Sequence, residues 1–253
     1  MVSARCLDRF IAEHRLPDSF RNTATTIYEP LAAWLRRRLA SKTPFLLGIN
    51  GAQGTGKSTL AAYLALALGE SGQCNVAILS IDDFYLTKAE RLQRAESIHP
   101  LLATRGVPGT HDISMLRDCL SRLRALKAGQ HCRLPRFDKA ADDRADEASW
   151  PAVSGPVDLI ILEGWCVGSV AEGEAGLETP VNELEATRDA DGRWRRYANE
   201  RLATDYADVF DGLDALVFLQ APGFDAILRW RVEQEQKLAA AAGTNGALSL
   251  IHI

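Results

Sequence analysis

Gly51-Ala52-Gln53-Gly54-Thr55-Gly56-Lys57-Ser58 fits the pattern G-x-x-x-x-G-K-[ST] without a gap, and its surroundings decide the fold. Phe45-Leu-Leu-Gly-Ile49 precedes it, short and apolar, as a buried strand would be. Thr59-Leu-Ala-Ala-Tyr-Leu-Ala-Leu-Ala-Leu68 follows, rich in strong helix formers. Strand, glycine loop and helix form the context in which this motif cradles phosphates. Glycines let the backbone turn its N–H groups inward around an anion, and the helix N-terminus adds its positive dipole end. The expectation is a triphosphate site built from Gly51, Ala52, Gln53, Gly54, Thr55, Gly56, Lys57, Ser58 and Thr59. Lys57 is expected to reach the β- and γ-phosphates, and the Ser58 hydroxyl to ligate Mg²⁺.

Outward from the loop, the chain alternates strand and helix. Residues 5–14 and 18–40 read as two helices joined at Leu16-Pro17-Asp18, with Ile27, Leu31, Leu35 and Leu39 as an apolar stripe. Arg36-Arg37-Arg38 reads as the solvated C-terminal end of the second helix. Val76–Ser80 is a second strand, delivering Asp82-Asp83-Phe84-Tyr85 at its C-terminal end, where open α/β sheets bind ligands. Residues 98–111 hold two prolines and two glycines and read as a structured loop. Asp112 is placed to cap a helix over 113–127. Residues 138–151 are charged and read as mobile. Val157–Leu162 is a third strand ending in Glu163, helices follow at 182–185 and 194–210, and Ala215–Leu219 is a fourth strand leading to a helix at 224–240. The pattern predicts a three-layer α/β/α P-loop NTPase fold with a mainly parallel sheet. It would be one domain over 1–253, with a helical prefix at 1–42 and a nucleotide and acceptor core at 43–240. Residues 241–253 form a tail whose last six, Leu248–Ile253, match the translation of a transposase adapter used in sequencing libraries; the expectation is that the natural chain continues differently there.

Composition sets outer bounds. An apolar content of 47% supplies a core, and a formal charge of −4 gives no basic footprint for nucleic acid. No stretch has the length of a membrane span, and none resembles a signal peptide. Five scattered cysteines without a C-x-x-C pair suit a cytoplasmic protein with reduced thiols. No nucleic-acid or membrane partner is expected from these features, and the oligomeric state is not set by the sequence.

A parallel sheet brings its four strand ends to one edge. A phosphoryl transferase needs a triphosphate cradle, a carboxylate for Mg²⁺ and a carboxylate to orient the acceptor hydroxyl. Glu163 stands where the metal-side acid belongs, after a hydrophobic strand; a turn-capping carboxylate is the alternative. Asp82 and Asp83 alternate across the chain, so one of them faces the phosphates. Asp82 is the expected base, while Asp83 hydrogen-bonds in the following loop and stays a candidate acceptor-side residue, as does Tyr85. Arg105, Thr110, His111, Asp138 and Lys139 lie on segments entering from outside the sheet and suit a small polar or anionic acceptor, although each alone also fits solvated surface. His99 and His131 have no metal-ligand spacing and read as structural. Arg229 and Arg231 follow the fourth strand; two residues apart on a helix, at most one closes over the phosphoryl group, and Arg231 is the catalytic candidate beside Asp82 and Lys57.

Six stretches occur in order after the phosphate loop. They are Ser80-Ile-Asp-Asp-Phe-Tyr-Leu-Thr87, Arg105-Gly-Val-Pro-Gly-Thr-His-Asp112, Leu134-Pro-Arg-Phe-Asp-Lys139, Leu162-Glu-Gly-Trp165, Asn182-Glu-Leu-Glu185 and Trp230-Arg-Val-Glu-Gln-Glu235. Together they resemble the plant and fungal type of D-glycerate 3-kinase and its bacterial relatives, kin to phosphoribulokinase, uridine kinase and pantothenate kinase. The resemblance runs from about residue 8 to residue 240. It implies MgATP-dependent phosphorylation of a hydroxyl on a small acceptor, D-glycerate first, with Asp82 as base and Lys57, Ser58 and Glu163 on the phosphates and magnesium. Phe137 stands where the resemblance calls for tyrosine, and the family chain continues beyond residue 240, so a last sheet strand is expected to be missing and a strand edge exposed. A kinase for a nucleoside or pantothenate-like acceptor, or a nucleotide-gated ATPase, are the alternatives. The chain lacks the N-K-x-D of a guanine reader and the L-S-G-G-Q of an ABC-type ATPase.

Overall fold

Phe45–Gly51 is buried along its whole length and forms the strand around which the molecule is layered. The structure is a computed structural model and describes residues 2–70, 72, 74–230 and 232. In chain order the strands among them are β1 (Phe45–Gly51), β2 (Val76–Ser80), β3 (His131–Arg133), β4 (Phe137–Asp138), β5 (Asp143–Arg144), β6 (Ala152–Ser154), β7 (Leu159–Gly164) and β8 (Ala215–Leu219). The main sheet has the order β2-β7-β1-β8, and every pairing in it is parallel. All four strands therefore end on one edge, as the sequence predicts. β3 pairs with β6, and β4 with β5, as small antiparallel ribbons outside the sheet.

Both sheet faces are covered, which is why β1 and β7 read as unbroken apolar runs rather than alternating ones. Leu47, Ile49, Leu159 and Ile161 pack into one layer with the N-terminal helices and the Lys57–Gly69 helix. Leu46, Ile160 and Leu162 point the other way, into a layer built from the Ile113–Ala125 helix and from Tyr206, Val209 and Phe210. This is the three-layer α/β/α arrangement.

The helical prefix is Ala4–Glu13 followed by one continuous helical run over 20–39. The run contains a π-helical turn, Ala24–Tyr28. That turn shifts the phase of the helix, so the inward residues are Phe20, Ala24, Tyr28, Ala32 and Leu35. The expected stripe is corrected at Ile27, which is 58% exposed. Phe10, Phe20, Tyr28 and Tyr63 form an aromatic cluster that seats the prefix on the Lys57–Gly69 helix.

A second correction concerns residues 138–151. Their charges suggested a solvated, mobile segment, but β4 and β5 close a short hairpin and a helical turn follows at Glu147–Ser149. The charges are paired within the protein. Asp142 binds Arg91 and Arg105, and Asp138 Oδ1 accepts the N–H groups of Ala140 and Ala141 to fix the turn. The Lys88–Ser97 helix that carries Arg91 starts with a reciprocal cap between Thr87 and Glu90. Asp112 caps the Ile113–Ala125 helix through the N–H of Met115, as expected, although that helix ends two residues before the expected 127.

Candidate active site

β1 runs into the phosphate loop, and two glycines there have no substitute. Gly54 has φ +81°, and a Cβ on it would stand 2.5 Å from Cβ of Trp230. Gly56 has φ +90° and opens the Lys57–Gly69 helix from the left-handed region that side chains disfavour. Thr55 Oγ1 donates to the Ala52 carbonyl at 2.7 Å, closing the turn, and Lys57 Nζ donates to the same carbonyl at 3.0 Å. The prefix also reaches this loop. A Cβ on Gly56 would have a single neighbour within 4 Å, the hydroxyl of Tyr28 at 3.9 Å.

Glu163 lies near the end of β7 and beside the loop. The Ser58 hydroxyl donates to Glu163 Oε1 at 2.9 Å. Burial raises the Glu163 carboxyl above its ordinary range, against the pull of Ser58 and Lys57. Burial likewise lowers the Lys57 ammonium, opposed by Glu163 and Asp82. Two hard oxygen donors stand together, with a carboxylate whose charge the protein only partly offsets. That donor set fits Mg²⁺, which takes few protein ligands and carboxylate or hydroxyl oxygens.

The pair after β2 divides its work. Asp83 is engaged away from the loop, where its oxygens accept from Arg136 Nη1 at 3.1 Å and from the Phe137 N–H at 3.2 Å. It anchors the start of the hairpin. Asp82 accepts from the Tyr85 hydroxyl at 3.1 Å on one oxygen and from Lys139 Nζ at 2.7 Å on the other. Burial pushes the Asp82 carboxyl up, but Lys139 and the Tyr85 hydroxyl together hold it below its ordinary value. Burial raises Asp83 too, and Arg136 with the Phe137 N–H offsets it only in part. Asp82 is thus held as the more acidic of the two, facing Lys139 and the Tyr85 hydroxyl.

The remaining candidates fall into two rows. Lys57, Ser58, Glu163, Asp82, Tyr85 and Lys139 meet at the strand edge through the bonds and charge interactions just described. Behind them, His111 is stacked on Tyr85 with ring centroids 4.4 Å apart and is buried. The Gly109 N–H donates to the Tyr206 hydroxyl at 2.9 Å, and that hydroxyl is hydrogen-bonded to His111 Nδ1 at 2.6 Å. His111 Nε2 is buried without a hydrogen-bond partner among the described residues. Thr110 is fully buried, and its hydroxyl serves the loop, donating to the Val107 carbonyl and accepting from the Gly106 N–H. Arg105 braces the hairpin through Asp142 and the Lys139 carbonyl, and Asp138 fixes the turn. Arg229 is exposed on the helix over 224–230, and Arg231 lies outside the described residues.

Several contributors carry no sequence signal. Arg91 is fully buried and donates to the carbonyls of Leu86, Ala103 and Asp142. Phe137 is the platform for two guanidinium groups, with Arg91 and Arg105 each 5.6 Å from its ring centroid. The phenyl ring thus has a role of its own without the expected tyrosine hydroxyl. Trp165 Nε1 donates to the Gly106 carbonyl at 3.0 Å and ties β7 to the acceptor loop.

A phosphate loop between a buried strand and a helix, with Glu163 bonded to Ser58 and Asp82 at the same sheet edge, has the layout of a P-loop kinase. No protein-family model matches the chain. Over 210 residues it is 35% identical to the uncharacterized kinase mug58 of Schizosaccharomyces pombe, covering 78% of this chain and 72% of that protein. It is 33% identical over 207 residues to the chloroplastic D-glycerate 3-kinase of Arabidopsis thaliana, 76% of this chain but 41% of that longer protein. The structure of D-glycerate 3-kinase from Cryptococcus neoformans superposes with a TM-score of 0.73 at 27% identity, covering 90% of this chain and 84% of that one. The chain belongs to the D-glycerate 3-kinase family of P-loop kinases.

Proposed function

We propose that this protein transfers the γ-phosphoryl group of MgATP to a hydroxyl of a small acceptor, D-glycerate first, giving 3-phosphoglycerate. The observation that carries the reading is the division of labour between Asp82 and Asp83. One is ionised at the strand edge, and the other is bound into the hairpin. The D-glycerate 3-kinases among the similar proteins support the acceptor.

In this reading Gly51–Thr59 wraps the phosphates with backbone N–H groups, and Lys57 leaves the Ala52 carbonyl for the β- and γ-phosphates. Ser58 and Glu163 would hold Mg²⁺, which would supply positive charge to offset that of the phosphates. Asp82 accepts the proton of the attacking hydroxyl and orients it in line with the phosphoryl group. Tyr85, Arg105, His111 and Lys139 shape the acceptor side, braced by Asp83, Thr110 and Asp138. Arg231, in the stretch of sequence after β8, would close over the transferring group. The five cysteines are free thiols, which supports a cytoplasmic setting.

ADP release with MgATP, measured across D-glycerate, other hydroxy acids, uridine and pantothenate, tests this. D-glycerate is expected to stimulate turnover most, and turnover independent of every acceptor would defeat the kinase reading. Asp82→Asn is expected to lower kcat by roughly 10³-fold while ATP still binds. If Asp83→Asn does this instead, the base is misassigned.

A further inference from the structure

The hairpin closed by β4 and β5 delivers a cation to the base. Its backbone is held from three sides. Asp83 grips Arg136 and the Phe137 N–H, Asp142 binds the buried Arg91, and Arg105 reaches both Asp142 and the Lys139 carbonyl. The side chain of Lys139 is not held in this way. It is 60% exposed, and among the described residues its one hydrogen bond is to Asp82 Oδ2 at 2.7 Å. A fixed backbone carrying a free four-carbon stem lets the ammonium move from one anion to another without disturbing the fold.

An acceptor hydroxyl must come to Asp82 to be deprotonated, and there it meets Lys139. If the acceptor carries an anion of its own close to that hydroxyl, Asp82 and Glu163 repel it unless a cation stands between them. Lys139 is that cation. Its separation from Asp82 also sets a length. With Nζ 2.7 Å from Asp82, a hydroxyl at Asp82 and an anion at Nζ belong to one molecule only when a short carbon chain joins them. A neutral acceptor leaves Lys139 on Asp82, and an acceptor with a distant charge cannot reach both. We propose that Lys139 is the carboxylate anchor of the acceptor site and restricts the acceptor to short hydroxy acids. The proposal rests on the kinase reading above and gives its acceptor a reason in pocket chemistry.

Rates of MgATP-dependent ADP release with D-glycerate and with glycerol, which replaces the carboxylate by a hydroxymethyl group, test it in wild type, Lys139→Gln and Lys139→Arg. Lys139→Gln is expected to lower kcat/KM for D-glycerate about 100-fold more than for glycerol, chiefly through KM. Lys139→Arg is expected to keep most of the preference. Equal losses on both acceptors would overturn the anchor, because Lys139 would then act on Asp82 or on the phosphoryl group. If glycerol turnover is too slow to measure, calorimetric binding of D-glycerate at two salt concentrations carries the test. Affinity should fall with salt in wild type and hold steady in Lys139→Gln, and equal salt dependence overturns the proposal. Wild-type turnover of D-glycerate with an unchanged preference in the variant removes the anchor alone. No wild-type turnover of any short hydroxy acid removes the kinase-acceptor reading with it.

Discussion

His111 shows how much one buried side chain can couple to pH. Its Nδ1 is hydrogen-bonded to the Tyr206 hydroxyl, its ring lies on Tyr85, and burial pushes its pKa down to about 4, with Asp82 opposing. The unfolded chain takes up a proton at this residue near pH 6.5, and the folded protein does not until about pH 4. The unfolded state therefore binds more protons across that window, and stability falls as pH drops through it. The loss approaches about 3 kcal/mol by pH 4. Urea unfolding at pH 7 and pH 4.5 checks this against His111→Gln, whose loss over the same interval is expected to be smaller by roughly 2 kcal/mol. The same loss in both proteins would show that His111 is not the buried titrating group. The sequence placed His111 near the acceptor side, but its tautomer depends on Tyr206, 95 residues away along the chain.

At the scale of elements, the β4–β5 hairpin depends on a residue from another helix. Arg91 joins Leu86, Ala103 and Asp142 through one planar guanidinium, which lysine cannot copy. Arg91→Ala is expected to cost about 3 kcal/mol, since buried carbonyls lose their donor. It is also expected to speed hydrogen exchange over residues 137–144 more than in β1. Unchanged exchange in the hairpin would show that Asp83 and Arg105 suffice to hold it. The phosphate loop was legible from its glycines because a chemical requirement for positive φ fixes residue type. The hairpin was not legible, because charges that look solvated in sequence are paired with partners 37 and 51 residues away. The π-turn at Ala24–Tyr28 misled the stripe reading for a related reason, since a shifted helical phase leaves no mark in a four-residue periodicity.

Across the whole molecule, β8 pairs with β1 on one side, and among the described residues no strand pairs with its other side. Leu216 and Phe218 are 45% and 62% exposed on it, beside a cavity of about 300 Å³ lined by Val170, Leu202, Phe210 and Leu213. The expected missing strand would fall beyond residue 240, which lies outside the described residues. An apolar edge strand invites pairing between chains. Phe218→Lys is expected to reduce light scattering on heating and to change stability by no more than about 0.5 kcal/mol, because the side chain buries little. Equal scattering in both proteins would place the aggregating surface elsewhere.

The sequence by itself determined the parallel sheet, the phosphate loop and the strand ends that bear Asp82 and Glu163. Those features follow from local rules, namely apolar runs of strand length, glycines where side chains cannot fit, and parallel strands that end together. Only the tertiary structure decided which aspartate is bound into the hairpin, that His111 meets the Tyr206 hydroxyl, and that Lys139 stands on Asp82. Each of these depends on which hydrogen-bond partner reaches a buried polar group first, and that partner comes from a distant segment.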